Sequence, residues 1–389
     1  MQKKYAKIRS AVTAIIFISV IIFYFTASSY YNFKNVGFNG FGKDEIVKIY
    51  SERLYGLDLL KDLWSLTQKF LRAQLYDDSM YGYIIKDTSG KLHYTVPLYD
   101  VTADAEKTIR FSETVKKAGV PFVYIQAPDK VIEAYTVLPK GGYNYSNQNG
   151  DQFLRLLTEA DVDTFDLREV MNKNDPDVEF MFYKTDHHWT TKAAFAAFAG
   201  IVNYLNINYG LDIDPENYYT DIKNYTLTEY KNCFLGSLGK RVGKFAVGLD
   251  DYTFIEPNFT TDYDVYITAD TNTAPAFSGD FREAITKEHI LNGGDIKLNK
   301  HAAYFEWDYG NLTIINKSIV NDIKLLLIKD SFSLPLAAFL STCVKELHLI
   351  DVRGTTVSPA VYFAEHEFNA VVILYNPEVF GANMFNFGG

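Results

Sequence analysis

The rhythm of hydrophobic and polar positions changes several times along the chain. From Ala11 to Ala27, the run AVTAIIFISVIIFYFTA carries no charge. Its seventeen residues lie near the lower length limit for a helix that crosses a bilayer. Tyr31 to Asp44 is rich in Gly and Asn and reads as a linker. Around Leu57 to Leu75 the spacing becomes that of an amphipathic helix, with Leu59, Leu60, Leu63, Trp64, Phe70 and Leu71 on one side. YGYIIKDTSGKLHY then predicts a hairpin, its turn at Thr88-Ser89-Gly90.

From about residue 103, helical stretches alternate with short apolar runs. ADAEKTIRFSETVKKAG predicts a helix closed at Gly119, and VPFVYIQA a buried strand. DQFLRLLTEA and VDTFDL repeat the pair. Near the carboxyl end IKLLLIKD, KELHLID and AVVILYN predict strands, separated by helices at SLPLAAFLST and SPAVYFAEHE. Continuous apolar runs between helices imply parallel strands covered on both faces. The fold class expected is α/β: a three-layer α/β/α sandwich with a parallel sheet of at least five strands. Between the helix TKAAFAAFAGIVNYLN and the strand at Lys324, residues of about 208–320 are rich in Tyr, Asn, Asp, Thr and Gly. Short pieces such as DYTFIE and DYDVYIT make this a β-rich insertion in the sandwich.

Charge decides the topology. Lys3, Lys4, Lys7 and Arg9 precede the first apolar run and no cation directly follows it. This predicts a cytoplasmic tail (1–9), a transmembrane signal-anchor (10–27), a juxtamembrane linker and helix (28–79) and an extracytoplasmic body (80–389). A cleaved signal peptide competes, since TASSYY offers small residues, but the A-x-A match is poor. No second apolar run of comparable length argues for a multi-span transporter. A net charge of −10 speaks against a nucleic-acid partner. Two cysteines, Cys233 and Cys343, form no CxxC motif or thiol-rich metal site.

Ligands of parallel α/β sheets gather beyond the carboxyl ends of the strands. After IKLLLI come Lys329, Asp330 and Ser331, with Ser333 placed to cap a helix and Pro335 in its first turn. Ser331 on such a corner has an exposed hydroxyl near converging backbone N–H groups, as a serine nucleophile requires. Asp-Ser pairs also cap helices with no catalytic role. The segment YKTDHHWT holds two of the seven histidines. It lacks the H-x-x-x-H spacing of a zinc site. In an extended segment Asp186 and His188 project to one side, so the carboxylate can orient the imidazole as a base, while His187 diverges unless the backbone turns sharply. Structural histidines in a loop before a helix are the alternative. Together the two segments supply every part of a Ser-His-Asp triad.

YKTDHHWT resembles the Asp-x-His-Trp signature of the alginate O-acetyltransferase-like (DHHW) family, which looks like a circularly permuted relative of the SGNH hydrolases. VPFVYIQAPDK, FLGSLGKRVG, KDSFS and HLIDVRG fit the same pattern, over roughly residues 80 to 378. The resemblance implies Ser331 as nucleophile, His188 as base and Asp186 as its orienter, with no cofactor and no metal. Lys329 stands where a glycine usually precedes Asp-Ser, and no Gly-x-Asn-Asp motif exists. For the oxyanion and substrate, the Ser331 N–H, Asn376 and Arg353 are candidates, Arg353 being equally placed for a salt bridge with Asp351 or Asp330. Lys130 and Gln126 follow a strand end and are placed to line the cleft, an ordinary exposed lysine being the default alternative for Lys130. Trp189 is expected to pack and fix His188.

The function so implied is extracytoplasmic O-acetyl transfer to a cell-envelope or secreted polysaccharide through an acetyl-serine. A membrane-bound multi-span O-acyltransferase would be the partner supplying acetyl groups. Two alternatives remain: a carbohydrate esterase with the same triad, and a non-catalytic glycan-binding scaffold in which Ser331 and His188 need not meet.

Overall fold

The computed structural model describes residues 2–35, 42–43, 55–133, 135–170, 181–268 and 273–388. It divides into two compact units, Met1–Leu71 and Arg72–Gly389.

In the first unit, helix α1 (Gln2–Asn35) contains one stretch, Ala14–Lys34, long and apolar enough to cross a membrane. At 1.5 Å per residue its 21 residues extend about 31 Å, the thickness of a hydrocarbon core. Helix α1 runs on through Tyr31–Asn35, so the first residues expected as linker are helical. Most of the rest of that linker lies outside the described residues. Helix α2 (Leu57–Phe70) is shorter than expected, because Leu75 opens a strand instead. Of the apolar residues predicted on one side of it, Leu59, Leu63, Trp64, Phe70 and Leu71 are exposed and Leu60 is half-buried.

The second unit begins with a three-stranded antiparallel sheet of β1 (Leu75–Asp78), β2 (Gly82–Lys86) and β3 (Leu92–Tyr94). The last two form the expected hairpin, with Gly90 at φ +90° and the Asp87 carboxylate accepting from the Lys91 N–H and the Ser89 hydroxyl. The chain continues through α3 (Thr102–Lys117), β4 (Phe122–Gln126), α4 (Ser146–Glu159), β5 (Thr164–Asp166) and α5 (Thr191–Tyr209). Gly119, at φ +77°, turns the chain out of α3 as its position predicted. Next come β6 (Tyr225–Phe234), α6 (Ser237–Val242), β7 (Asp250–Pro257), β8 (Tyr263–Tyr266), β9 (Phe277–Gly279) and β10 (Asn311–Asn316). The carboxyl-terminal part holds β11 (Lys324–Lys329), α7 (Ser333–Leu340), β12 (Glu346–Ile350), α8 (Pro359–Ala364) and β13 (Ala370–Tyr375).

The central sheet has the order β5-β4-β13-β11-β12-β10-β8-β9. Its first five strands are parallel, as expected. The insertion departs from expectation: β8, β9 and β10 extend the same sheet in antiparallel fashion, and only β6 and β7 form a separate ribbon. This covers the edge that β12 would otherwise leave unpaired.

Strand periodicity builds the two outer layers. Leu325 and Leu327 of β11 face α5 and α7 in one core, whereas Leu326 and Ile328 face α3, α4 and α8 in the other. From β11 the chain crosses to β12 on one side through α7. It then reaches β13 on the other side through α8, on the opposite face. A crevice opens where strand order reverses in this way, and Ser331 stands at its lip.

Candidate active site

The corner after β11 is shaped by Asp330. Its Oδ1 accepts from the Phe332 N–H at 2.9 Å and its Oδ2 from the Asn376 N–H at 2.7 Å, tying the ends of β11 and β13 together. This replaces the cap expected from Ser333, whose hydroxyl finds no partner among the described residues. Two further donors grip the next carbonyls: His301 Nε2 bonds the Ser331 oxygen at 2.8 Å, and Trp189 Nε1 bonds the Phe332 oxygen at 2.9 Å. Ser331 is therefore fixed at the start of α7 by groups on three other segments.

The loop carrying Asp186 and His188 closes on itself. Phe182 pairs with Trp189, and the Thr190 N–H bonds the Met181 carbonyl at 2.8 Å. The segment is thus a tight turn and not the extended segment expected. It keeps the rings of His187 and His188 3.8 Å apart, and both line the cleft, the sharp turn being the condition under which the two can share one site. Within the turn, His188 Nδ1 lies 2.5 Å from Asp186 Oδ1, and His188 Nε2 lies 2.8 Å from Ser331 Oγ. The structure therefore brings Ser331, His188 and Asp186 into one chain of hydrogen bonds across 143 residues of sequence. The separation allowed by a scaffold is absent.

Three elements hold that turn. The Asp250 carboxylate on β7 accepts from the Lys184 N–H at 2.6 Å, the Thr185 N–H at 2.8 Å and the Thr185 hydroxyl at 2.5 Å. Beneath it, Lys130 Nζ donates to the carbonyls of Lys184 at 3.1 Å and Asp186 at 2.7 Å. At 3% exposure Lys130 is a clamp behind the acid, which corrects its expected place in the cleft. Gln126 is likewise buried.

FLGSLG supplies the third element, opening α6 against Asp186. The Ser237 N–H bonds Asp186 Oδ2 at 2.6 Å, and the Gly239 N–H bonds the Thr185 carbonyl at 2.8 Å. A Cβ on Gly236 would stand 2.3 Å from that of Asp186, so only glycine permits the approach. Ser237 Oγ and the Tyr94 hydroxyl meet His187 Nδ1 at 2.9 and 3.0 Å.

The remaining sequence candidates have structural partners. Asn376 spends its side chain on the Pro128 carbonyl and the Glu378 N–H, both at 2.9 Å. Arg353 forms the expected bridge to Asp351, through Nε at 2.8 Å and a terminal nitrogen at 2.5 Å, while also lining the cleft. Lys329 is buried between Asp308 at 2.5 Å and Asp351 at 3.2 Å. His301, Ser237 and Asp250 were missed as functional positions. FLGSLG was a signal for the second, but no motif surrounds the other two.

Asp186, His187 and His188 present donor atoms within 4.8 Å of one another, a grouping able to hold a metal ion. Both Asp186 oxygens, both His188 nitrogens and His187 Nδ1 are also engaged in the hydrogen bonds described above.

Burial and the neighbouring His301 push the pKa of His188 down to about 4, against the pull of Asp186. The ring is accordingly neutral and able to accept a proton near neutrality. Burial opposes ionisation of Asp186, yet the positive charge that His188 and His187 carry once protonated, with the hydrogen bonds from His188 and Ser237, holds it well below the usual carboxylate range. Burial raises Asp330 to about 7, against the Asn376 N–H and Arg353. Ser331, His187, His188 and His301 open into a cleft of about 1160 Å³, walled by Tyr81, Tyr99, Tyr143, Trp307 and Phe380.

Residues 98–228, which include the Asp186–Trp189 turn, match the family model described as SGNH hydrolase-like domain, acetyltransferase AlgX. The fold is SGNH hydrolase-like. Solved structures agree over most of the SGNH-like chain. Bacillus cereus PatB1 with a sulfonyl adduct aligns at 21% identity and a TM-score of 0.64, over 82% of this chain and 100% of that one. A second PatB1 structure aligns at 20% identity and a TM-score of 0.60, over 78% and 99%. A DHHW family protein from Eubacterium siraeum aligns at 16% identity and a TM-score of 0.55, over 82% and 96%. At these identities the likeness is one of fold. The matched family model names an acetyltransferase, so the resemblance is to an acyl-transfer enzyme. No curated protein matches the chain.

Proposed function

We propose that this chain is a membrane-anchored O-acetyltransferase that acetylates an envelope or secreted polysaccharide outside the cytoplasm, using Ser331, His188 and Asp186. The observation that carries the reading is the continuous path from Ser331 Oγ to His188 Nε2 and from His188 Nδ1 to Asp186 Oδ1. Ser331 Oγ attacks the acetyl carbonyl of the donor while its proton passes to His188 Nε2. The imidazolium is stabilised by Asp186. The tetrahedral oxyanion collapses, the donor's leaving oxygen takes the proton from His188, and acetyl-serine remains. An acceptor hydroxyl repeats these steps in reverse, giving the acetylated sugar and free Ser331. The Ser331 N–H is the assigned oxyanion donor, since the Asn376 side chain is engaged elsewhere.

α1 supports the anchoring, and Lys3, Lys4, Lys7 and Arg9 support an extracytoplasmic body. A multi-span O-acyltransferase in the same membrane would deliver acetyl groups to Ser331. The test incubates the full chain in detergent micelles with 4-nitrophenyl acetate, with and without polysaccharide. Acetylated glycan as main product supports transfer. Free acetate regardless of acceptor makes the chain an esterase. No turnover, or turnover that persists in Ser331→Ala, overturns the assignment of the nucleophile.

A further inference from the structure

Trp307 has no part in the hydrogen-bonded path, yet the fold takes unusual care over its position. It lines the same cleft as Ser331 and is 64% exposed, whereas the other tryptophan of the second unit, Trp189, is fully buried. The two residues before it, Phe305 and Glu306, lie at φ +67° and +75°, a conformation that non-glycine residues rarely adopt even singly. Both are pinned there: the Phe305 N–H bonds the Ile285 carbonyl at 2.9 Å, and the Glu306 N–H bonds that of Ala302 at 3.1 Å. On either side of the indole, Glu306 pairs with His289 at 3.1 Å, and Asp308 pairs with buried Lys329 at 2.5 Å. A strained, doubly anchored backbone thus holds a large flat apolar surface in water at the rim of the cleft.

The chemistry of the cleft selects the ligand. Of the acidic groups flanking Trp307, Asp308 is already paired with Lys329 and Arg353 and Glu306 is engaged with the His289 ring, so neither carboxylate is left open for an ionic ligand. Tyr143, 44% exposed, adds a second aromatic surface to the same space. The cavity, about 1160 Å³, exceeds the roughly 300–1,000 Å³ common for small-molecule sites and has room for more than one sugar ring. A neutral ligand with hydroxyls at its edge and one apolar face suits these walls. β-linked pyranoses with equatorial substituents have such a face, made of axial C–H bonds. We propose that Trp307 is the stacking platform for the acceptor, a β-linked pyranose chain, and that it sets which ring faces Ser331. The proposal rests on the acyl-transfer reading for its purpose but not for its test.

That test is calorimetric titration of cellopentaose and chitopentaose into the full chain in micelles, with melting temperature as a check on folding. One of the two should bind. Trp307→Leu, which keeps apolar bulk without a ring face, should weaken that binding about tenfold or more, and Trp307→Tyr should retain most of it. Equal binding by unaltered protein and Trp307→Leu, or binding of neither probe, overturns the platform. Turnover of 4-nitrophenyl acetate on the same preparation separates the two ideas. Its absence with binding intact would remove the acyl-transfer reading and leave the platform. Its presence without oligosaccharide binding would do the reverse.

Discussion

The imidazole of His301 lies flat against that of His188, ring centres 3.8 Å apart and planes within 9°, while its Nε2 holds the carbonyl of Ser331. One residue therefore touches both the proposed base and the backbone of the proposed nucleophile. His301→Ala should lower kcat for acetyl-ester turnover about ten- to a hundredfold, the scale expected when reacting groups lose alignment. Because His301 is among the groups depressing His188, its removal should also move the acidic midpoint of the pH–rate profile upward. An unmoved midpoint would reduce His301 to a loop support.

In the unaltered protein, kcat/KM should keep its plateau well below pH 6.5 and fall only as His188 protonates, near pH 4. A midpoint close to 6.5 in ester turnover would contradict the burial of the base.

Stability should follow the same histidines. His301, lowered mainly by burial to about 4, is neutral when folded but takes up a proton when unfolded below its ordinary 6.5. The unfolded state then binds more protons, so this contribution is intact above about pH 6.5 and lost as pH falls towards 4. Denaturant titrations should accordingly show the stability of wild type relative to His301→Gln shrinking over that window. A constant difference would refute the assignment.

The two adjacent histidines should separate clearly. His188→Ala removes the proton acceptor and should cost on the order of 10²–10⁴ in kcat. His187→Ala loses the bonds to Tyr94 and Ser237 and the ring contact with His188 but no atom of the Ser331–His188–Asp186 path, and should cost less than about tenfold. Steady-state kinetics of both variants decide the matter, and a reversed order would exchange their roles.

Behind the site, Lys130→Met should destabilise the protein by about 1–3 kcal/mol, since the buried Asp186 carbonyl loses its donor and that of Lys184 keeps only the Leu92 N–H. Gly236→Ala should be at least as damaging, because the added methyl overlaps Asp186. Thermal melts alongside ester turnover would check both, and a silent Gly236→Ala would show that the turn and α6 can move apart.

Much of this was legible in the chain. Parallel strands such as β11 and β13 announce themselves because burial on both faces leaves unbroken apolar runs. Ser331 and Asp186 stood out because strand ends and short-range spacing are local features. What escaped is long-range. Lys130 looks like an exposed lysine, and only the fold shows it beneath a turn 56 residues away. His301 has no motif around it, and its role exists only through contacts with His188 far upstream and with a loop 30 residues later. The antiparallel extension by β8, β9 and β10 was hidden for a similar reason, since half-polar strands advertise neither their partner nor their sheet.

The approach of Gly236 and Ser237 to Asp186 bears on how such proteins can diverge. The excursion between α5 and β11 is not a cassette to be trimmed or transplanted at will. Any chimera that exchanges it must carry a matching Asp186 turn, or the acid will lose its shelter and the imidazole its orientation.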